Sequence, residues 1–239
     1  MIKIKNLGNR GEIYIHGLII DDTDAKWLEM DGGTIGYVFP AQVRSELEAL
    51  RGLPVDVHIA SDGGNVAAGV ALYNMLAAHD APVVVYIDAW AASIASYLAF
   101  VGQKIVMPEN TFLMIHNPAG GAYGGSDYLR SVAEYLDKLR DMLADKYAEN
   151  SKLSVEKMKE LMDDETWFTA REALETFGDK VEIVQSNDLK AVACYSTFKS
   201  APEAVLKPAG INTQADPAPS AVDKNTVKYV VNILNRAWR

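Results

Sequence analysis

Residues 88–116 read D-A-W-A-A-S-I-A-S-Y-L-A-F-V-G-Q-K-I-V-M-P-E-N-T-F-L-M-I-H. The apolar run at 82–87 ahead of them predicts a strand, and the small-residue stretch at 92–101 predicts a helix. Two further short strands are expected at 104–107 and 111–116, the second ending on a histidine. Strands alternating with a helix in this way point to an α/β layered architecture. The chemistry lies at the first junction. A serine on a strand-to-helix turn, flanked by small side chains, can be presented to a substrate carbonyl. Its hydroxyl becomes a useful nucleophile only when a neighbouring base takes its proton. Ser93 is the candidate nucleophile and His116 the candidate base, so the segment reads as part of a serine hydrolase.

The same alternation extends outward. Residues 12–20 (E-I-Y-I-H-G-L-I-I) predict a buried strand, and 21–34 a polar loop. A helix is expected over 40–50, opened by Pro40 and presenting Val43, Leu47 and Leu50 on one face. A short strand at 54–59 runs into Ser61-Asp62-Gly63-Gly64, and Val66, Val70, Tyr73 and Leu76 follow at helical spacing. Residues 117–126 hold four glycines and a proline and predict a loop. A long helix is then expected over 127–150, with Leu129, Val132, Leu136, Leu139 and Leu143 spaced like a coiled-coil seam. That stripe suits either its own domain or a second subunit. Shorter helices at 154–162 and 169–177 and a strand at 181–185 complete the domain, which is expected to span 1–190. Residues 191–223 have the Pro/Ala-rich composition of a linker, and 224–239 can form an amphipathic helix with Val227, Val231, Leu234 and Trp238 on one face.

Composition narrows the function. With 239 residues and 49% hydrophobic side chains the chain can bury a large core. A net charge of −9 argues against nucleic-acid binding. One cysteine, Cys194, allows no internal disulfide and suits a reducing compartment. The N-terminal residues lack the apolar core of a signal peptide, and no run reaches the length of a membrane span, so a cytoplasmic location is expected. The four histidines show no metal-ligand spacing, and no metal or cofactor is expected.

Three segments in order carry a family resemblance: I-A-S-D-G-G-N-V-A-A-G-V-A-L-Y-N-M-L, A-W-A-A-S-I-A-S-Y-L-A and M-P-E-N-T-F-L-M-I-H-N-P-A-G-G. Together they resemble the proteolytic subunit of the Clp proteases, and within that family the branch carried by phages and prophages for head maturation. The resemblance implies a crotonase-like β-superhelix of βαβ units with a protruding handle helix. It also implies assembly into homo-oligomeric rings acting on protein substrates, here capsid or scaffold proteins, in the bacterial cytoplasm or a procapsid. By position it makes Ser93 the nucleophile and His116 the general base. It assigns the oxyanion-hole amides to Gly64 and Ile94, and substrate binding to Gly63, Asn117, Pro118, Gly120 and Gly121. The family's S-P-G-G turn has Asp62 in place of proline. The third triad member falls near T-W-F-T-A-R-E-A-L at 166–174, where the directly aligned residue is Thr166. Asp163, Asp164 and Glu165 stand just upstream, and Asp164 is the choice made from sequence. The alternatives are a housekeeping protease fed by a separate ATPase chain and a catalytically degenerate assembly protein of the same fold.

Overall fold

The computed structural model describes residues 4–30 and 36–185. The proposed linker and the amphipathic helix at 224–239 lie outside the described residues, as does Cys194.

The centre of the molecule is a run of parallel strands: β2 (Gly11–Ile19), β4 (Val55–Gly64), β5 (Val83–Ala92), β6 (Ile105–Pro108) and β9 (Val181–Val184). The short β1 (Ile4–Asn6) pairs antiparallel with the outer edge of β2, and β3 (Tyr37–Val38) extends β2 in parallel. Beyond β6 along the same strand, β5 pairs with β7 (Phe112–Ile115), which in turn holds β8 (Thr166–Thr169) antiparallel. Thus β5 changes partner at its C-terminal end, and this end carries Ser93.

The buried face explains the strand sequences. Val55, Val57 and Ile59 of β4 and Val85 and Ile87 of β5 are fully or almost fully buried against helices, so nearly continuous β-branched runs are needed there. The helices covering them are α2 (Pro40–Ala49), α3 (Val66–Ala77) and α4 (Ile94–Ala99). Helix α2 buries Pro40, Val43 and Leu47, as its period requires. In α3 the centre of the buried face is Ala68, Leu72 and Leu76, while Val66, Val70 and Tyr73 pack only partly against the core. The helix is apolar nearly all round, so spacing alone does not single out its inner face.

Besides the short β1 and β3, which were not expected from the sequence, two further elements differ from the sequence expectation. Residues 21–34 contain helix α1 (Asp22–Met30) where a loop is expected. The Asp21 carboxylate caps it, accepting from the N–H groups of Thr23 and Asp24 at 2.8 and 2.9 Å, and Ala25 and Leu28 supply a narrow buried stripe. Strand β8 was likewise absent from the expectation; T-W-F-T is too short to signal itself and is fixed by pairing with β7. The last helices are α5 (Ser126–Glu149), α6 (Val155–Asp163) and α7 (Ala170–Phe177). The C-terminal third of α5 is packed into the core through buried Leu143, Ala144 and Tyr147. Its earlier turns project, leaving Tyr128, Leu129 and Tyr135 exposed.

Candidate active site

Strand β5 ends at Ala92, and Ser93 occupies the N-cap of α4 with φ 56° and ψ −131°. A side chain at positive φ costs about 1–3 kcal/mol and persists only where the surroundings over-determine it. Here they do. The Ser93 N–H donates to the Met114 carbonyl at 3.0 Å, and the Ser93 carbonyl accepts from the Ser96 N–H at 2.9 Å and the Ser96 hydroxyl at 2.6 Å. Ser96 Oγ also lies 2.8 Å from the buried hydroxyl of Tyr147 on α5. The A-A-S-I-A-S run is therefore read twice: its small residues are buried to let the turn pack, and its second serine holds the first in place.

His116 follows directly after β7, next to β5, so the two strand ends bring histidine to serine. Ser93 Oγ and His116 Nε2 are 2.7 Å apart. With Nε2 accepting the serine proton, the neutral imidazole carries its own proton on Nδ1. Burial holds the His116 pKa below the ordinary value of 6.5, partly offset by the negative charge of Glu165. The ring is accordingly neutral near pH 7 and able to accept a proton.

The C-terminal end of β4 lies against this serine. Gly63 has φ +92° and Gly64 φ +140°. A Cβ on Gly63 would stand 2.7 Å from both Ser93 Cβ and the Ala92 carbonyl oxygen, and 3.1 Å from the Ile94 nitrogen. Only glycine gives this approach together with that backbone angle. Ile94 is the first residue of α4, so its N–H has no partner within the helix. The geometry thus brings Ser93, His116, Gly63 and the Ile94 amide into one cluster.

The acidic segment resolves differently from the sequence expectation. Asp163 accepts from Asn117 Nδ2 at 2.7 Å and from Arg140 Nη2 at 2.8 and 2.9 Å. Asp164 is exposed and serves as the C-cap of α6. Thr166 Oγ1 donates to the Leu161 carbonyl at 2.7 Å, so its hydroxyl is committed to the end of α6. The carboxylate whose charge acts on His116 is Glu165, not Asp164. Glu165 has φ 52° in the position after the cap, where glycine is the usual occupant. Among the described residues, Ser93 and Glu165 are the two non-glycine residues with positive φ, and both are at this site. That strain is the signal sequence reading lacked, because three consecutive acids look alike until the chain reverses.

Of the remaining predicted residues, Asn117 and Pro118 are half-buried and Gly120 and Gly121 exposed, along a segment without regular structure between β7 and α5. The Asn117 side chain is engaged by Asp163. Among the described residues no group of three or more His, Cys, Asp or Glu side chains is arranged to hold a metal ion, and no helix is long and apolar enough to cross a membrane.

A family model described as Clp protease matches residues 45–182, more than half of the chain, including both the serine and the histidine turns. The chain belongs to the Clp protease family. It is 34% identical over 122 residues to an ATP-dependent Clp protease proteolytic subunit of Ligilactobacillus salivarius (strain UCC118), covering 50% of this chain and 61% of that protein. It is 34% identical over 137 residues to a subunit of the same name from Streptococcus pneumoniae (strain Hungary19A-6), covering 56% of this chain and 69% of the relative. This Clp family chain therefore spans somewhat under two thirds of the first relative's length. Its fold is similar to that of a ClpP1 mutant from Listeria monocytogenes, with a TM-score of 0.59 and 24% identity over 75% of this chain and 94% of the other.

Proposed function

We propose that this chain is a serine endopeptidase of the Clp type. The observation that carries the reading is the 2.7 Å contact between Ser93 Oγ and His116 Nε2, made by two turns packed around Gly63. Ser93 Oγ attacks the scissile carbonyl carbon while His116 Nε2 takes its proton. The oxyanion is held by the N–H groups of Gly64 and Ile94, each contributing about 3 kcal/mol. Glu165 takes the role of the third triad member: its charge stabilises the imidazolium, which then gives its proton to the leaving amine. Water releases the acyl group from Ser93 by the reverse sequence. The segment after Asn117, which has no regular structure, is where a substrate strand would be added.

The exposed Tyr128, Leu129 and Tyr135 on the projecting part of α5 support assembly into a homo-oligomer through that helix. The substrates we propose are capsid or scaffold proteins, on the strength of the sequence resemblance. A second reading, a protease partnered by an ATPase, is favoured by the names of the two relatives, both called ATP-dependent proteolytic subunits. Labelling with a fluorophosphonate tests the common core of both readings: the probe attaches to Ser93 in the full chain, and none attaches in Ser93→Ala. Incubating the protein with purified scaffold protein, without any ATPase, separates them. Cleavage supports the head-protein reading, and intact scaffold supports the ATPase-partnered one.

A further inference from the structure

Two side chains that the proposed mechanism does not use cross-link the strands feeding its two turns. Asp62 lies in β4 immediately before Gly63, and Trp90 lies in β5 shortly before Ser93. The Trp90 indole N–H donates to Asp62 Oδ1 at 2.7 Å. The indole is 8% exposed and sits in a cluster with Ala92 and Met114, against which Phe112 and Trp167 pack. Met114 is also the residue whose carbonyl holds the Ser93 N–H. Trp90 is therefore a fixed point in the same packing unit as the nucleophile turn.

The ladder needs such a fixture. Its register between β4 and β5 shifts after Ile59, and the last pair is Ser61 with Ala91. Beyond it Gly63 approaches Ala92, Ser93 and Ile94 closely, with no further pair between β4 and β5. On the far side Gly63 and Gly64 pair with Leu18 and Ile19 of β2, and the Gly63 N–H donates to Ser61 Oγ at 3.0 Å, so it is the side facing β5 that lacks ladder bonds. Asp62 is half-buried, and among the described residues the Trp90 indole is its side-chain hydrogen-bond partner. A carboxylate withdrawn from water for one hydrogen bond is costly, and burial accordingly raises its pKa while the Trp90 bond lowers it.

We propose that Asp62 is a positioning residue: bonded to Trp90, it holds the Gly63–Gly64 turn in register with the Ser93–Ile94 turn, so that the two amides converge on one oxygen. The inference rests on Ser93 being the nucleophile. It follows that losing the acceptor weakens stabilisation of the developing oxyanion with little change in initial binding, and that Asn, which keeps an acceptor oxygen, rescues.

The test uses the full chain and a fluorophosphonate probe, whose phosphoryl oxygen occupies the same oxyanion site. Inactivation is resolved into a maximal rate and a half-saturating concentration for wild type, Asp62→Asn, Asp62→Leu, Trp90→Phe and the Asp62→Leu/Trp90→Phe pair. Expected is a fall of about tenfold or more in the maximal rate for Asp62→Leu and for Trp90→Phe, with half-saturation changed by less than about twofold. The double variant should be no slower than the slower single one, and Asp62→Asn should stay within about threefold of wild type. Wild-type speed in Asp62→Leu, multiplying losses in the pair, or Asp62→Asn as slow as Asp62→Leu overturns the proposal while leaving Ser93 as nucleophile. If Asp62→Leu does not fold, full speed in Trp90→Phe overturns it equally. A wild type that does not label at Ser93 removes the proposed function itself, and this inference with it.

Discussion

Two histidine–carboxylate arrangements lie on this sheet. At the C-terminal strand ends, His116 faces Ser93 at 2.7 Å and feels the charge of Glu165. On the outer face of the central strands, Asp88 joins His16 and His58, each at 2.9 Å, and His58 is stacked between Tyr14 and Tyr86 with ring centroids 4.6 and 5.0 Å apart. The ingredients overlap, but the backbone differs. Ser93 and Glu165 stand at positive φ, whereas His16, His58 and Asp88 sit within strands and are not at positive φ. The first group holds a hydroxyl beside a neutral base on strained turns. The second satisfies each Asp88 oxygen with an imidazole and has no hydroxyl within the hydrogen bonds that define it. A histidine next to a carboxylate is thus common to both regions; the nucleophile and the stored strain are what distinguish the candidate site.

Removing the distinguishing groups should give the largest effects. Ser93→Ala should abolish peptidase turnover while leaving the thermal midpoint close to that of wild type, since the bonds that hold the turn use the Ser93 backbone and not its Oγ. Glu165→Gln should lower kcat by about 10²–10⁴-fold. It should also move the acid limb of the pH–rate profile. Burial depresses the His116 pKa and Glu165 raises it, so activity in the wild type should fall only as pH drops below 6.5, and in Glu165→Gln at lower pH still. An acid limb that shifts upward in that variant would assign the negative charge elsewhere.

Changes on the outer face should act on stability instead. Burial pushes the Asp88 pKa up, but the hydrogen bonds and charges of His16 and His58 hold it below its ordinary value of 3.8. A depressed carboxylate contributes stability that is present above the unfolded value and lost as pH falls through the folded one, here in the range below 3.8. Asp88→Asn should therefore cost about 1.5–3 kcal/mol in denaturant unfolding at neutral pH, with that difference shrinking below pH 3.8. Its fluorophosphonate labelling should remain at the wild-type rate, and a large loss would merge the two regions. The smallest effects belong to the residues that the sequence offered for the third triad member. Asp164→Ala should leave kcat within about twofold, and Thr166→Ala should lose about 1 kcal/mol of stability through its bond to the Leu161 carbonyl, with kcat unchanged. Side-by-side kcat and urea midpoints for both variants check this.

Much of the scaffold was legible because hydrophobic period and turn chemistry coincide there. Val43 and Leu47 of α2, the β-branched runs of β4 and β5, and Pro40 at the start of α2 each have one reading. Ser93 and His116 were legible because small residues and strand ends expose them. Helix α1 was hidden by a polar composition with only Ala25 and Leu28 buried in a described stripe, and β8 by its four-residue length. The acid was ambiguous among 163–166 because four successive polar residues give no period. It is the reversal after α6, with Glu165 at φ 52°, that separates the capping Asp164 from the acid whose charge acts on His116. Backbone reversal of that kind has no composition signature when glycine is not used.

The most direct test of the account is a fluorophosphonate reaction on the full chain, followed by peptide mapping of the adduct in wild type and Glu165→Gln. The account predicts one adduct, on Ser93, formed markedly faster in wild type than in Glu165→Gln. An unlabelled Ser93, or equal rates in the two proteins, would contradict it.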